Sequence, residues 1–548
     1  MNASDIVAKC LVLEGANYVF TVPGATTMEL QDALYRNPGT EVIVARHEQG
    51  AVYMAEGYAR GTRQFGVCMG SRGGAAANMA IGIHNAMQES SPVVMINGQV
   101  NSGFQQREAF EEADLMALFH SITKWCTEIH QPNRIPELLL RAIRTARSGR
   151  PGPVVVSIPV DLQSKMVEAE IQQSQLPLPP GPDEHGVLAA LDLLDKAERP
   201  IILAGGGILW SRATKALQDC AETLHIPVLA TWLRNDVFPN DHPLYAGSVG
   251  VGSSHGVQET VRQADAILAV GVRFSEFSTD NYRTMWGVPI VHIDIEPTQI
   301  GKIYPVEVGI VSDASLALSS MARLAKHELA SNRSAESRRK WASLARRRFV
   351  EHSLEPQEEG GRKLLTPLGV IRGMQQVLHP STALTFDSGA FTHWFSRFYC
   401  WTEPNTLFGT AGGAMGFGFP AGLGVKLADP DRQVVSVVGD GGFMMTIQEL
   451  ETAVRHQIST VTLVINNFSY AQIKAKQQIR YPERVKGNDL TNPDFAQLAK
   501  LFGAVGYRVE RPEELVPVLQ QAVTEKERPV VVDILVDPTE VWPPGEVL

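Results

Sequence analysis

Positive charge is in short supply. Lys and Arg number 49 against 59 Asp and Glu, a formal net charge of −10. An acidic chain is poorly suited to hold nucleic acid or an anionic lipid surface by nonspecific charge attraction, and neither partner is expected. No apolar run approaches the ~18 residues that cross a bilayer. Cysteine is scarce and odd in number: Cys10, Cys68, Cys126, Cys220 and Cys400 lie scattered, with no CxxC pair. That spacing argues against a disulfide framework or a cysteine-built zinc site. The opening Met1-Asn2-Ala3-Ser4-Asp5 lacks the basic stretch that begins a signal peptide, so a reducing, cytoplasmic setting is the expectation. What remains is ordinary globular material, 44% hydrophobic and 20% charged.

At ~150 residues per domain, 548 residues suggest roughly three to four domains. Three stretches alternate short apolar runs with helical patterns, the mark of α/β units around mainly parallel, doubly wound sheets. The first is expected over residues 1–165, with strands at Asn17–Val22, Glu41–Val44, Pro92–Ile96 and Pro153–Ile158. Clustered prolines at Pro177, Pro179, Pro180 and Pro182 make Gln172–Pro182 an extended connector. The second stretch, 183–328, carries strands at Pro200–Ala204, Ala266–Val270 and Ile290–Ile295. From Lys326 to Lys363 the chain turns polar and basic (Arg338, Arg339, Lys340, Arg346, Arg347, Arg348), which reads as a solvated helix plus linker. The third stretch, 363–548, has strands at Ala383–Phe386, Val434–Val438, Val461–Ile465 and Val530–Leu535. The first and third are similar in size and pattern, as a distant duplication would leave them.

The chemistry concentrates after Val434. An apolar strand ends in Gly439-Asp440-Gly441-Gly442-Phe443, and the next strand ends in Asn466-Asn467. Ligands gather at the carboxyl ends of parallel strands, so one βαβ crossover puts Asp440 and Asn467 on a common rim. A carboxylate and an amide oxygen are hard ligands suited to Mg2+, which fills its octahedron with phosphate oxygens and water. Gly439, Gly441 and Gly442 let backbone N–H groups approach an anion near a helix N-terminus. Thr446, three residues before Glu449, reads as a capping box.

Gly439-Asp440-Gly441 through Asn466-Asn467 resembles the thiamine diphosphate motif of the superfamily that includes acetolactate synthase, pyruvate decarboxylase and benzoylformate decarboxylase. Arg46-His47-Glu48-Gln49-Gly50-Ala51, Phe408-Gly409 to Gly416-Phe417-Gly418-Phe419-Pro420, and Gly271-Val272-Arg273-Phe274 with Ile293-Asp294-Ile295-Glu296-Pro297 also resemble that family, acetolactate synthases most of all. The likeness covers essentially the whole chain. It implies a pyrimidine-binding, a central and a diphosphate-binding domain, thiamine diphosphate and Mg2+ as cofactors, and a homodimer or homotetramer with the site between chains. It implies Asp440, Asn467 and the Ser469 carbonyl as metal ligands, and Glu48 as the catalytic acid that bonds the pyrimidine ring. Met415 would prop the bent cofactor, and the Gly413 carbonyl would accept from its amino group. Asp387, Gly389, Ala390 and Phe391 would form the other diphosphate-facing loop, working through backbone. Tyr470 and Ala471 would continue the cofactor contact. Glu56 would make a structural bond.

The substrate side departs from the synthases. Where they carry Asp-Asp-Arg this chain has Ser275-Glu276-Phe277, and where they carry a pocket-shaping Trp it has Lys476. Ser71-Arg72-Gly73-Gly74-Ala75 replaces their Thr-Ser-Gly-Pro-Gly, and Gly247–Gly256 matches their flavin-contacting run only in part, which counts against FAD. Pro23-Gly24-Ala25-Thr26 resembles benzaldehyde lyase, which has His at the Thr26 position and Gln at the Glu111 position. The expected substrate pocket is Ala25, Thr26, Glu111, Gln472, Ile473 and Lys476, with Arg72 and His84 as further contacts. Small carbonyl compounds are the expected substrates: a carboligase or lyase acting on 2-oxo acids or acyloins. A non-decarboxylating acyloin lyase, a simple 2-oxo acid decarboxylase and a binding protein without turnover are the alternatives.

Overall fold

Apolar, β-branched runs buried on both faces dictate parallel sheets covered by helices, and the computed structural model, which describes residues 1–328, 335–353 and 364–544, has three of them. The first contains β1 (Tyr18–Thr21), β2 (Glu41–Val44), β3 (Gly66–Ser71), β4 (Val93–Gln99), β5 (Trp125–Glu128) and β6 (Val154–Pro159), in the order β2-β1-β3-β4-β6-β5. The second contains β7 (Pro200–Ala204), β8 (Val228–Ala230), β9 (Tyr245–Ser248), β10 (Ala266–Val270), β11 (Ile290–Asp294) and β12 (Val308–Val311), in the order β12-β11-β10-β7-β8-β9. The third contains β13 (Ala383–Phe386), β14 (Leu407–Phe408), β15 (Val434–Gly439), β16 (Val461–Asn466), β17 (Val505–Val509) and β18 (Val530–Leu535), in the order β14-β13-β15-β16-β18-β17. All pairings are parallel, for example Thr21 beside both Val44 and Met69, and Gly439 beside Ile465.

The first and third sheets share one strand order, and the middle sheet has the dinucleotide-binding order. In such sheets the crevice opens where the strand order reverses. The three crevices lie between the ends of β1 and β3, β7 and β10, and β13 and β15.

The first and third units also share a core. Phe20, Met54 and Ile83 pack in one cluster with Phe419, Phe443 and Phe495. Two glycines permit it. A Cβ on Gly57 would collide with the Ala421 carbonyl, and one on Gly424 with the Met54 carbonyl. The helices Glu48–Thr62 and Gly418–Ala428 therefore touch backbone to backbone. The middle unit keeps its own core, onto which Trp341, Ala345 and Phe349 of the helix Ala335–Ser353 are packed.

That helix corrects an expectation. Arg338 is not solvated. It is 1% exposed, with its guanidinium donating to the Leu194 carbonyl at 3.3 Å. Arg346 likewise donates to the carbonyls of Asn240 and Tyr245. The parts of the expected linker at 329–334 and 354–363 lie outside the described residues. Among the described residues no helix is long and apolar enough to cross a membrane.

Candidate active site

The crevice of the third sheet gathers the diphosphate and metal candidates. Asp440 follows β15, buried, its Oδ2 accepting from Asn492 Nδ2 at 2.7 Å and its Oδ1 from the Gly441 N–H at 2.9 Å. Burial pushes its carboxyl above the usual carboxylate range, although backbone and Asn492 donors pull the other way. Asn466 turns inward, donating to Asp533 at 2.9 Å and accepting from Asn492 at 3.0 Å. The second asparagine, Asn467, is half-buried, and among the described residues its amide has no hydrogen bond. Ser469 is buried with its hydroxyl unpartnered. A Cβ on Gly441 would strike the Tyr470 ring and one on Gly442 the Asp387 carboxylate, so at these positions only bare backbone fits.

Asp387 directly follows β13 and is 1% exposed. Its carboxylate accepts from the N–H groups of Ser388 (2.8 Å), Gly416 (3.0 Å) and Phe417 (3.3 Å), and burial raises it to about 7. The side chain thus pins the loop that carries Gly413 and Met415; after it Gly389 is half-buried and Ala390 and Phe391 are buried. Gly413 stands at φ +70°, exposed, with space around it. Thr446 donates to the Gly416 carbonyl at 3.0 Å, which ties this loop to the helix after Asp440.

The expected capping box between Thr446 and Glu449 does not form. Glu449 is fully buried beneath Gly50 of the first unit. It accepts from the backbone N–H groups of Arg46 (3.1 Å) and His47 (2.9 Å) and from Thr452 (2.7 Å), and burial raises its carboxyl to about 7. One carboxyl of the third unit therefore fixes the turn just before Glu48.

Glu48 opens its helix at the end of β2, with His47 Nδ1 capping the Gln49 N–H at 3.1 Å. It is half-buried, and its Oε2 accepts from Asn78 Nδ2 at 2.9 Å. Asn78 lies on an exposed stripe of the helix Arg72–Glu89, with Gly74, Ala77 and Ile81. Glu56, one turn or two along from Glu48, is structural as expected. It is buried and accepts from Asn85 (2.9 Å) and Ser91 (3.2 Å). Asn85 in turn accepts from Thr410 at 2.6 Å, while Arg60 donates to the Gly409 carbonyl at 2.7 Å and Glu89 accepts from Ala411. The first unit thus also fixes the base of the Gly413–Met415 loop.

The substrate candidates fall into two sets. Gln472 and Lys476, on the helix Ala471–Arg480, line a cavity of about 800 Å³ with His393, Phe277, Arg283 and Trp286, and Ile473 is 51% exposed beside them. That cavity includes none of the first-unit candidates. Ala25 is exposed, and Glu111 is exposed in a loop at φ +59°. Thr26 is a correction: at 1% exposure it lines nothing, its hydroxyl donating to the Gly98 carbonyl at 2.7 Å and meeting Ser71 Oγ at 2.9 Å. Sequence reasoning missed Asn78, Asn85, Glu449 and Asn492. Apart from Thr452 beside Glu449, their partners lie between 26 and 403 positions away, and only Glu449 drew notice, for the wrong bond.

The central crevice, between Gly205–Gly207 and Gly271, opens on a second cavity of about 600 Å³ lined by Arg63, Arg150, Arg273, Trp210 and Trp232.

Comparison with known proteins matches all three units. Residues 1–118 match the thiamine pyrophosphate enzyme N-terminal TPP binding domain, 187–321 the central domain and 387–534 the C-terminal TPP binding domain. A probable acetolactate synthase large subunit of Methanocaldococcus jannaschii is 34% identical over 563 residues, covering 99% of this chain and 93% of the relative. The acetolactate synthase large subunit of Corynebacterium glutamicum is 33% identical over 99% of this chain and 88% of its own length. The acetolactate synthase isozyme 3 large subunit of Escherichia coli is 32% identical over 98% of this chain and 96% of its own. With three matched domains in order and full-length likeness, the chain belongs to the thiamine pyrophosphate enzyme family, as an acetolactate-synthase-like member.

Proposed function

We propose that this protein is a thiamine diphosphate- and Mg2+-dependent carboligase of 2-oxo acids, with each site assembled from two copies of the chain. The observation that carries the reading is the third-sheet crevice. It pairs a buried carboxylate short of counter-charge, Asp440, with an uncommitted amide, Asn467, beside glycines that leave room only for backbone.

These residues fit the cofactor. Asp440, Asn467 and the Ser469 carbonyl would hold Mg2+ against a diphosphate, while the N–H groups around Gly439–Gly442 receive its oxygens. Met415 would support the rings and the Gly413 carbonyl would orient the amino group. Glu48, held by Asn78, would keep a proton at the pyrimidine nitrogen. What thiamine diphosphate supplies when bound is a nucleophilic carbon and an electron sink. The net reaction is R–CO–COO⁻ + R′–CO–COO⁻ + H⁺ → CO2 + R–CO–C(OH)(R′)–COO⁻. One C–C bond breaks, one forms, and the new alkoxide takes the proton. No oxidant is consumed, so the reaction needs no flavin. The guanidinium-lined central cavity fits the phosphates of a nucleotide, and a flavin bound there would take no redox part.

The two-copy site rests on where Glu48 and Asn78 stand: on an open face with small and apolar neighbours, Gly74, Ala77 and Ile81. The test is CO2 release from a panel of 2-oxo acids by cofactor-loaded protein, with and without aldehydes, and a visible absorbance scan of the same sample. The expected result is CO2 with a hydroxylated 2-oxo product. No CO2, but cleavage of an acyloin, would move the protein to the lyase branch.

A further inference from the structure

We infer that Arg72 binds the carboxylate that an acceptor 2-oxo acid keeps through the reaction, and so makes the enzyme prefer 2-oxo acids to aldehydes as acceptors. The inference rests on the carboligase reading and names the residue that recognises the acceptor at that site.

Position comes first. The crevice of the first sheet lies between the ends of β1 and β3, and Arg72 is the residue directly after β3. Glu48 follows β2 on the other side of β1. Two strand spacings, about 10 Å, separate the ends of β2 and β3; Arg72 comes directly after one and Glu48 four residues after the other. Asn78, which holds Glu48, rises from the same helix that Arg72 begins.

The state of the side chain comes second. Arg72 stands at φ +57°, a left-handed conformation that costs a non-glycine residue of order 1 kcal/mol. Its guanidinium lies over the Phe110 ring with Cζ 5.4 Å from the centroid. NH1 makes one long bond, 3.5 Å to the Phe110 carbonyl, and Glu111 Oε2 stands 4.0 Å away, too far for a hydrogen bond. Nε is buried with no partner. The cation is thus plated on one face by an aromatic ring and balanced by a carboxylate, yet most of its donors are unspent. A planar fork with spare donors suits a carboxylate.

The choice between the two carboxylates of the reaction follows from energetics. The donor's carboxylate leaves as CO2, so a charge-assisted bond to it would stabilise the ground state and be lost in the transition state. The acceptor's carboxylate persists, and a bond to it costs the chemistry nothing. The chain carries no arginine in Ser275-Glu276-Phe277, and the cavity that holds Lys476 and Arg283 includes no residue of the first unit.

The experiment uses the cofactor-loaded enzyme with saturating pyruvate as donor and compares two acceptors, 2-oxobutanoate and propanal, which differ by one carboxylate. The readout is the ratio of their kcat/KM values. Arg72→Gln should lower that ratio by about 10- to 100-fold, the worth of one charged hydrogen-bonding partner. Arg72→Lys, which keeps the charge and loses the fork, should lower it less. Equal losses on both acceptors, leaving the ratio unchanged in both variants, would overturn the inference and make Arg72 a structural residue. CO2 release by the unsubstituted enzyme without any preference for 2-oxobutanoate would overturn it too. No CO2 release from any 2-oxo acid would instead defeat the carboligase reading, and this inference with it.

Discussion

Glu48 is a carboxyl held at one oxygen by one amide, Asn78 at 2.9 Å, on a turn that Glu449 fixes from below. General acid–base groups contribute about 10²- to 10⁴-fold, so Glu48→Gln should lower kcat by that order. Binding of thiamine diphosphate with Mg2+, followed by tryptophan quenching, should stay within a few-fold, because the metal candidates sit on another sheet. Asn78→Ala should cost less, about 10-fold in kcat, since it orients the acid without replacing it. An unchanged kcat in Glu48→Gln would remove that residue from the mechanism. The sequence singled out Asp440 and Asn467 as metal candidates because strand ends share a rim and the chemistry restricts ligand type, whereas Glu48 stood out only through the resemblance of its motif to the family. It could not reveal Asn78, Asn85 or Asn492, since an asparagine's partner is set by the fold and no local spacing encodes it. Glu449 was misread for the same reason. Its three-residue spacing from Thr446 satisfies a capping pattern, while its actual partners, the Arg46 and His47 amides, lie in another unit.

At the scale of elements, legibility followed burial. β4, β6, β7, β10, β15, β16 and β18 announce themselves as apolar runs because both faces are covered. The short or edge strands β5, β8, β9, β12, β14 and β17 carry too few apolar residues to stand out, and β3 hides behind two glycines and a cysteine. The contact that matters most for the site, between the helices Glu48–Thr62 and Gly418–Ala428, depends on residues that are absent as side chains. Gly424 faces the Met54 carbonyl with no room for a methyl group. Gly424→Ala should therefore push the helices apart, at a cost of about 1–3 kcal/mol as overpacking does. Thermal melting should show the loss as a drop of several degrees. The same substitution should weaken kcat, because Glu48 starts the displaced helix. An unaltered melting temperature would mean that the helix pair can slide without strain.

At the scale of the molecule, two sheets of one strand order stand on either side of a shared core. Each sheet carries one of the proposed groups on its own side, Glu48 after β2 and Asp440 after β15. If each site takes Glu48 from one copy and Asp440 from the other, two dead chains can repair each other. A Glu48→Gln chain still supplies Asp440, and an Asp440→Ala chain still supplies Glu48. Each should be inactive alone. Unfolded together at equal amounts and refolded, they distribute into homodimers and mixed dimers. Half of the dimers are mixed, and each mixed dimer holds one intact site of two, so activity should return to about one quarter of the unsubstituted enzyme's value. Size-exclusion chromatography with light scattering on the same sample checks that the mixture is dimeric or larger. A site built within one chain gives a different answer: every chain in the mixture lacks one essential group, and no activity returns at any ratio. The fraction recovered thus separates a shared site from a private one without need of the substrate's exact identity, provided that one 2-oxo acid is turned over.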